Sequence, residues 1–203
     1  MISSKKELAV ILSRLEGFEK PSVRLEQYMT DSEAAAEIIW FAYQNNDITN
    51  KTIGDFGCGT GILGIGTMFF IPRKVYFIDI DDRQLKKLET NLRLFEFTNY
   101  EIVCKDIKDF NIKTDIVFQN PPFGVKNAHA DKAFLEQAFK TSDVIYSFHK
   151  LESRQFIEKI SKDHNFKITH FFNFRLPLKQ TQFYHTKTIH RIDVGCWRLQ
   201  KYL

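Results

Sequence analysis

Short apolar runs alternate with helical stripes of apolar residues over most of the chain. The runs predict five buried strands, at residues 52–56, 74–80, 101–105, 114–118 and 143–148. Stripes with a spacing of three and four residues predict the intervening helices, as at Leu85, Leu88 and Leu92. This alternation of strands and helices predicts a parallel sheet that is covered by helices on both faces.

Both ends of the chain depart from this alternation. The stripe from Leu8 to Leu15 predicts a first helix, and Thr30 with Glu33 has the spacing of a capping box that would begin a second. After a helix over 151–163, two long strands at 166–176 and 192–199 follow with no helix between them, which predicts an antiparallel hairpin. We therefore expect an α/β fold with a mostly parallel seven-stranded sheet. It would form one domain over 1–203, with N-terminal helices and a loop in 1–50 and the sheet in 51–203.

Charge is distributed unevenly along the chain. Residues 126–203 contain fourteen Lys and Arg against seven Asp and Glu, and all six histidines, whereas the first 125 residues have a net charge of −3. A basic segment is typical of proteins that bind a polyanion such as nucleic acid. A solvated lysine-rich surface would give the same pattern, so charge alone leaves both interpretations open.

The cysteines and the apolar stretches indicate the compartment. Cys58, Cys104 and Cys196 lie far apart without the paired spacing of a zinc site or a disulfide framework, which fits a reducing cytoplasm. The N-terminal MISSKKELAV lacks the apolar stretch of a secretory signal. The most apolar stretch, residues 61–71, is shorter than the roughly 20 residues that a membrane span needs. We expect a cytoplasmic protein that does not contact a membrane.

A glycine-rich turn, DFGCGTGIL at residues 55–63, follows the first predicted strand of the sheet. Gly57, Gly59 and Gly61 allow the backbone to turn sharply and to approach a ligand closely. The dinucleotide-binding fingerprint would require glycine at Ile62, and the Lys-Ser/Thr ending of a phosphate-binding loop is missing. The spacing D-x-G-x-G-x-G resembles motif I of the class I methyltransferases, which use S-adenosyl-L-methionine (SAM). That resemblance implies a Rossmann-like sheet with SAM at this turn.

Two acidic residues follow the next two strands, as they do in that family. The resemblance implies that Asp79 binds the ribose hydroxyls of SAM, where a carboxylate accepts two hydrogen bonds, and that Asp106 meets the adenine amino group. Either residue alone would be an ordinary acid at the end of a strand. Three features in this order favour a cofactor site.

The sequence Asn120-Pro121-Pro122-Phe123 ends the fourth strand abruptly. It resembles the [DNS]-PP-[YFW] motif of methyltransferases that act on an amino group conjugated to a ring or a carbonyl. The Asn120 side-chain oxygen and the Pro121 carbonyl can accept hydrogen bonds from such an amine, and proline fixes the direction of that carbonyl. The Phe123 ring can stack on a base, which typically contributes about 1–3 kcal/mol. A proline-rich turn with Phe123 in the core is the structural alternative.

The resemblance extends over the whole chain to the family that forms N6-methyladenosine in small-subunit ribosomal RNA. It rests on GFEKP (17–21), LEQYMT (25–30), FIDID (77–81), NPPFG (120–124) and YSFHK (146–150), together with the glycine turn. It implies that residues of the N-terminal loop and of the strand ends surround SAM. These are Gln27, Tyr28, Thr30, Asp55, Gly57, Gly59, Thr60, Gly61, Ile62, Asp79, Ile80, Asp106 and Ile107.

The family resemblance also implies two partners. Eukaryotic members work with a small zinc-binding activator subunit that pairs with the edge strand, which here would be residues 101–105. An unpaired edge protected by Glu101 and Lys105 is the alternative. The second partner is RNA, with a base splayed into the pocket. Phosphate contacts would come from basic residues of the C-terminal half, namely Lys126, His149, Lys150, Arg154, Lys179, His185 and Lys187, although each one alone could be a solvated surface charge.

Other functions remain open from the sequence. The motif would equally suit N2 of guanine in RNA, N6 of adenine in DNA, or the glutamine amide of a translation factor. Phe123 and the short N-terminal part weigh against the glutamine enzymes, and no DNA-recognition domain is evident in 203 residues. A non-catalytic SAM-binding subunit is less favoured because both Asn120 and the glycine turn are intact.

Overall fold

The computed structural model describes residues 2–17, 30–122, 130–178 and 190–202. Its strands are β1 (Thr52–Phe56), β2 (Lys74–Asp79), β3 (Tyr100–Cys104), β4 (Ile116–Gln119), β5 (Val144–Lys150), β6 (Phe166–Leu178) and β7 (His190–Lys201). Its helices are α1 (Lys5–Leu12), α2 (Ser32–Gln44), α3 (Ile62–Met68), α4 (Asp82–Leu92), α5 (Ala130–Thr141) and α6 (Arg154–Asp163). Two short 3-10 turns lie at Ile107–Asp109 and Leu151–Ser153.

All seven strands form one sheet in the order β3-β2-β1-β4-β5-β7-β6. Strands β1 to β5 are parallel, whereas β7 is antiparallel to both β5 and β6. The predicted α/β fold, with its mostly parallel sheet and its C-terminal antiparallel hairpin, is therefore confirmed. Chain order reverses between β1 and β4, and the carboxyl ends of these two strands flank the crevice in which open α/β sheets bind ligands.

Each face of the sheet carries its own apolar layer. On one face, Leu12, Ile39 and Leu88 of the N-terminal and α4 helices pack with Phe77 and Phe118 of the strands. On the other face, residues of α5 and α6 pack against the alternate strand positions, which are Val117, Ile145, Trp197 and Leu199. Central strands that are covered on both faces need apolar side chains at almost every position, and this explains the continuous apolar runs in the sequence.

The cap of α2 differs from the prediction. Asp31, and not Thr30, is the N-cap residue, and its side chain accepts hydrogen bonds from the backbone N–H groups of Glu33 and Ala34. The capping box predicted from Thr30 and Glu33 is therefore wrong by one residue. The hydroxyl of Thr30 makes a different contact, which is described below.

No helix in the described part of the chain is long and apolar enough to cross a membrane.

Candidate active site

Three predicted site segments leave the sheet next to one another. Phe56, the last residue of β1, pairs with Ile78 of β2 on one side and with Gln119 of β4 on the other. The glycine turn, Asp79 and Asn120 each follow one of these paired residues directly, so all three emerge at the same edge of the sheet. The parallel register thus brings together residues that are more than sixty positions apart in the sequence.

The glycine turn requires glycine for two different reasons. Gly57, Gly59 and Gly61 have φ values of 65°, 54° and 92°, which residues other than glycine rarely adopt. Gly61 is also the N-cap residue of α3, and a Cβ atom there would lie 2.3 Å from Leu88 Cδ1. The turn consequently presents backbone rather than side chains to the crevice. Thr60 and Ile62, two other predicted cofactor residues, are buried within it.

Asp79 holds the shape of this turn from the end of β2. Its Oδ2 accepts a hydrogen bond from Gly59 N at 2.8 Å, and its Oδ1 accepts one from Asp81 N at 2.9 Å. Burial raises the pKa of this carboxyl, and the two backbone N–H groups oppose that rise. The neighbouring residue Ile80 is 59% exposed. A carboxylate and an accessible aliphatic surface thus stand side by side at one strand end.

Asp55 lies beneath the turn and is 1% exposed. Its Oδ2 accepts a hydrogen bond from Gly64 N at 2.8 Å, which anchors the first turn of α3. Burial raises the pKa of Asp55 to about 7, and the nearby charge of Asp79 acts in the same direction. This position suits a residue that supports the turn from below.

Asp106 and Ile107 follow β3 and differ in their surroundings. The Asp106 side chain caps the 3-10 turn by accepting a hydrogen bond from Lys108 N at 3.0 Å. Ile107 is buried in the core on the side of α5, so its side chain belongs to the packing of that layer. The two predicted cofactor residues therefore contribute differently, one as a cap of the turn and one as a core residue.

Asn120 is linked to the N-terminal part of the chain. Its Nδ2 donates a hydrogen bond to the hydroxyl oxygen of Thr30 at 2.9 Å, and Thr30 is itself buried. Pro121 is buried and Pro122 half-buried. Gln27, Tyr28 and Phe123, which were also predicted for this site, lie outside the described residues.

Comparisons with known proteins agree with this geometry. The model of the family "Methyltransferase small domain" matches residues 31–144, which include the glycine turn, Asp79 and Asn120. The chain belongs to this methyltransferase family. It is 33% identical to the zebrafish (Danio rerio) rRNA N(6)-adenosine-methyltransferase METTL5, over 90% of this chain and 91% of that protein. This relationship confirms the family that the sequence motifs predicted.

Two archaeal proteins are similar over the whole length. The uncharacterized protein MJ0284 of Methanocaldococcus jannaschii is 34% identical, over 97% of this chain and 94% of that protein. The crystal structure of PH1948 from Pyrococcus horikoshii superposes with a TM-score of 0.92 at 41% identity, and it covers 100% of both chains. The fold described here is therefore shared by an experimentally determined relative.

Asn91 of α4 is a residue of this methyltransferase that motif reading missed. Its buried amide donates hydrogen bonds to the carbonyl oxygens of Thr60 and Glu16, each at 3.0 Å, and accepts one from Glu16 N at 2.8 Å. Lys87, one turn earlier, pairs with the Glu16 carboxylate at 2.6 Å. The amide thereby ties the glycine turn to the segment that follows α1. The signal in the sequence was an amide placed three residues after Leu88, on the apolar face of the helix.

The predicted RNA-binding residues differ in their burial and charge. His149 is 1% exposed, and burial lowers its pKa to about 3, so it carries no charge for a phosphate at neutral pH. It does not belong with the phosphate contacts. Lys150 is half-buried at the end of β5, and the exposed Arg154 pairs with Glu158 at 3.0 Å and lies over the Phe171 ring. The other four predicted contacts, Lys126, Lys179, His185 and Lys187, lie outside the described residues.

Proposed function

We propose that this methyltransferase transfers the methyl group of SAM to the N6 amino group of an adenosine in RNA, most specifically in small-subunit ribosomal RNA. One observation carries the proposal. The Asn120-Pro121 segment leaves β4 beside the glycine turn, with the Asn120 amide held by Thr30. An amine-binding group and a cofactor-binding turn then share one crevice.

The residues at the strand ends fit SAM. A carboxylate offers about four acceptor positions, so Asp79 can accept from two ribose hydroxyls in addition to its two backbone N–H groups. The exposed side chain of Ile80 offers an apolar surface to the adenine ring, next to Asp106. The left-handed glycines bring the backbone close to the amino acid part of the cofactor. When bound, SAM would supply a methyl group that is activated by its positive sulfonium.

Asn120 and Pro121 would then act on the amine. The lone pair of an exocyclic amine is delocalised into the ring, which makes it a poor nucleophile. Because Asn120 Nδ2 donates to Thr30, the oxygen of the same amide is the atom that accepts from the substrate. The Pro121 carbonyl is a second acceptor of fixed direction. Two acceptors that orient the amine favour a tetrahedral nitrogen, and positioning of this kind can supply much of the rate enhancement.

Two features support RNA as the substrate. METTL5 of zebrafish is named for rRNA N6-adenosine methylation, and the similarity to it extends over nine-tenths of both chains. Residues 126–203 also have a net charge of +7, which favours a polyanion. Within the described residues, Lys150 and Arg154 are the predicted phosphate contacts at this end of the sheet. An rRNA substrate would place the enzyme in the cytoplasm.

Strand β3 is the proposed docking site for a small zinc-binding activator subunit. It is the outermost strand next to β2, so within the described residues one of its edges has no neighbour in the sheet. A partner strand could continue the sheet there. Glu101 on this strand is already paired with Lys74 at 2.7 Å. If the chain purified alone transferred methyl groups as fast as it does in cell extract, an activator would be unnecessary.

Methyl transfer from labelled SAM to total RNA, DNA and protein, measured in parallel, tests the proposed substrate class. We expect label in RNA alone. Label in protein would instead indicate a glutamine methyltransferase, and label in DNA a DNA enzyme. Bound SAM with no transfer to any of the three would indicate a non-catalytic subunit.

A further inference from the structure

Three buried polar side chains lie at the strand ends beside Asn120. On strands β4 and β5, the odd-numbered positions face the layer of α5 and α6, where Val117 and Ile145 are apolar core residues. At the carboxyl ends of the same strands, this face carries Gln119, Ser147 and His149, all of which are buried. Polar residues therefore replace apolar ones only where the strands approach the proposed active site.

These side chains form a directed chain of hydrogen bonds. Gln119 Nε2 donates to Ser147 Oγ at 2.9 Å, so the Ser147 hydroxyl can donate in turn to His149 Nε2, 2.6 Å away. That arrangement requires the neutral imidazole with its proton on Nδ1. Asp131, at the start of α5, has its Oδ2 3.9 Å from this Nδ1. That distance is too long for a hydrogen bond, so the chain runs from Gln119, the last residue of β4, through Ser147 to His149 near the end of β5.

Ser, His and Asp are the residue types of a hydrolase triad, but the surroundings of Ser147 and His149 exclude nucleophilic catalysis by the serine. Ser147 is completely buried, so no substrate carbonyl can reach its hydroxyl. Burial also lowers the pKa of His149 to about 3, far from the value near neutrality that suits a general base. The hydrogen bond from Gln119 further occupies the oxygen that would act as the nucleophile.

We propose that Gln119, Ser147 and His149 form a positioning network that fixes the orientation of the Asn120-Pro121 segment. Burying these groups costs free energy, and within the described residues Gln119 Oε1 and His149 Nδ1 have no hydrogen-bond partner. Hydrogen bonds are directional whereas apolar contacts are not, so such a network defines one geometry of the strand end. The catalytic part of this inference rests on the function proposed above, because its effect on rate is exerted through Asn120.

The network is tested by Ser147→Ala, with Ser142→Ala as the matched control. Ser142 is also a buried serine with a bonded hydroxyl, but it lies at the opposite end of β5, where it contacts the carbonyls of Asp115 and Val144. We expect Ser147→Ala to lower kcat for RNA by about tenfold to a hundredfold, with KM and SAM affinity little changed. Ser142→Ala should lower thermal stability while leaving kcat unchanged. Equal kcat values for wild type and Ser147→Ala would overturn the inference.

A double-variant cycle separates a network from unrelated structural damage. Gln119→Met keeps the volume of the side chain and removes the other end of the same hydrogen bond. If the two residues act as one network, the double variant should be no slower than the slower single variant. Independent, multiplicative losses would contradict a shared role.

A readout without catalysis keeps this test separate from the proposed function. The side-chain amide of Asn120 gives its own ¹⁵N–¹H signals, which report its position directly. We expect these signals to move in Ser147→Ala and to stay in place in Ser142→Ala, even if the wild-type protein transfers nothing to RNA. Absence of wild-type transfer would contradict the proposed function, whereas unmoved Asn120 signals in Ser147→Ala would contradict the network.

Discussion

The substitution Asp55→Asn tests how much an ionised carboxylate beneath the glycine turn destabilises the fold. Asp55 is buried and accepts one hydrogen bond, from Gly64 N, which the oxygen of an asparagine can also accept. Burial raises the pKa of this carboxyl from 3.8 to about 7. The substitution therefore removes the ionisable group and keeps its main contact.

The expected effect on stability follows from the two pKa values. The folded protein holds the Asp55 proton up to about pH 7, whereas the unfolded chain loses it near pH 4. The folded state thus binds more protons between these limits, and its stability falls as the pH rises through this window. A difference of about three pKa units corresponds to about 4 kcal/mol. Asp55→Asn should remove this loss, so its stability relative to wild type should rise by up to about 4 kcal/mol between pH 4 and pH 8.

Urea unfolding of both proteins at several pH values measures this difference. Titrating groups that do not interact with Asp55 cancel in the comparison, whereas Asp79 interacts with it and contributes to the measured difference. Asp163→Asn, at an exposed position at the end of α6, is the control and should follow wild type at every pH. A difference between wild type and Asp55→Asn that stays constant from pH 4 to pH 8 would contradict a raised pKa of Asp55 in the folded state. A difference of the opposite sign would do so as well.

Four further predictions concern ligand binding and rate. SAM should bind more tightly at pH 8 than at pH 6. Burial raises the pKa values of Asp55 and Asp79, and a cationic ligand favours the ionised form of both carboxyls. Calorimetry with wild type and Asp55→Asn at both pH values checks this. Asn120→Ala should abolish transfer while leaving SAM affinity nearly intact, as equilibrium binding would show. Thr30→Val should lower kcat roughly fivefold through loss of the bond to Asn120, and Thr30→Ser should retain most of the rate. Asn91→Ala should destabilise the fold by about 2–3 kcal/mol and weaken SAM binding. The control Asn99→Ala removes one hydrogen bond to the Pro72 carbonyl and should leave SAM affinity unchanged.

The sheet could be predicted closely because its central strands have a strong signal. The run at 52–56 coincides with β1, and the run at 101–105 is displaced by one residue from β3. Strands buried on both faces are apolar throughout, and the glycine turn and the prolines mark where two of them end. The location of the crevice followed from the predicted parallel sheet, since parallel strands place their carboxyl ends at one edge.

The contacts that complete the site depend on residues distant in sequence. Thr30 and Asp31 are both good capping residues, and spacing alone could not show that the Thr30 hydroxyl contacts Asn120, ninety positions later. The burial of His149 has a similar cause. Alternation along β5 places it on the same face as Ile145, and its ring lies against Trp197 of β7, the strand that pairs with β5. Whether a side chain at the end of a strand is buried depends on such neighbours from other strands, which the local pattern does not reveal.

The central claim is that Asn120 and the glycine turn act together to methylate N6 of adenosine. Mass spectrometry of nucleosides from small-subunit ribosomal RNA, treated with SAM and either wild type or Asn120→Ala, tests it most directly. We predict N6-methyladenosine with wild type and none with the variant. A methylated guanosine in place of N6-methyladenosine, or equal N6-methyladenosine from both proteins, would contradict it.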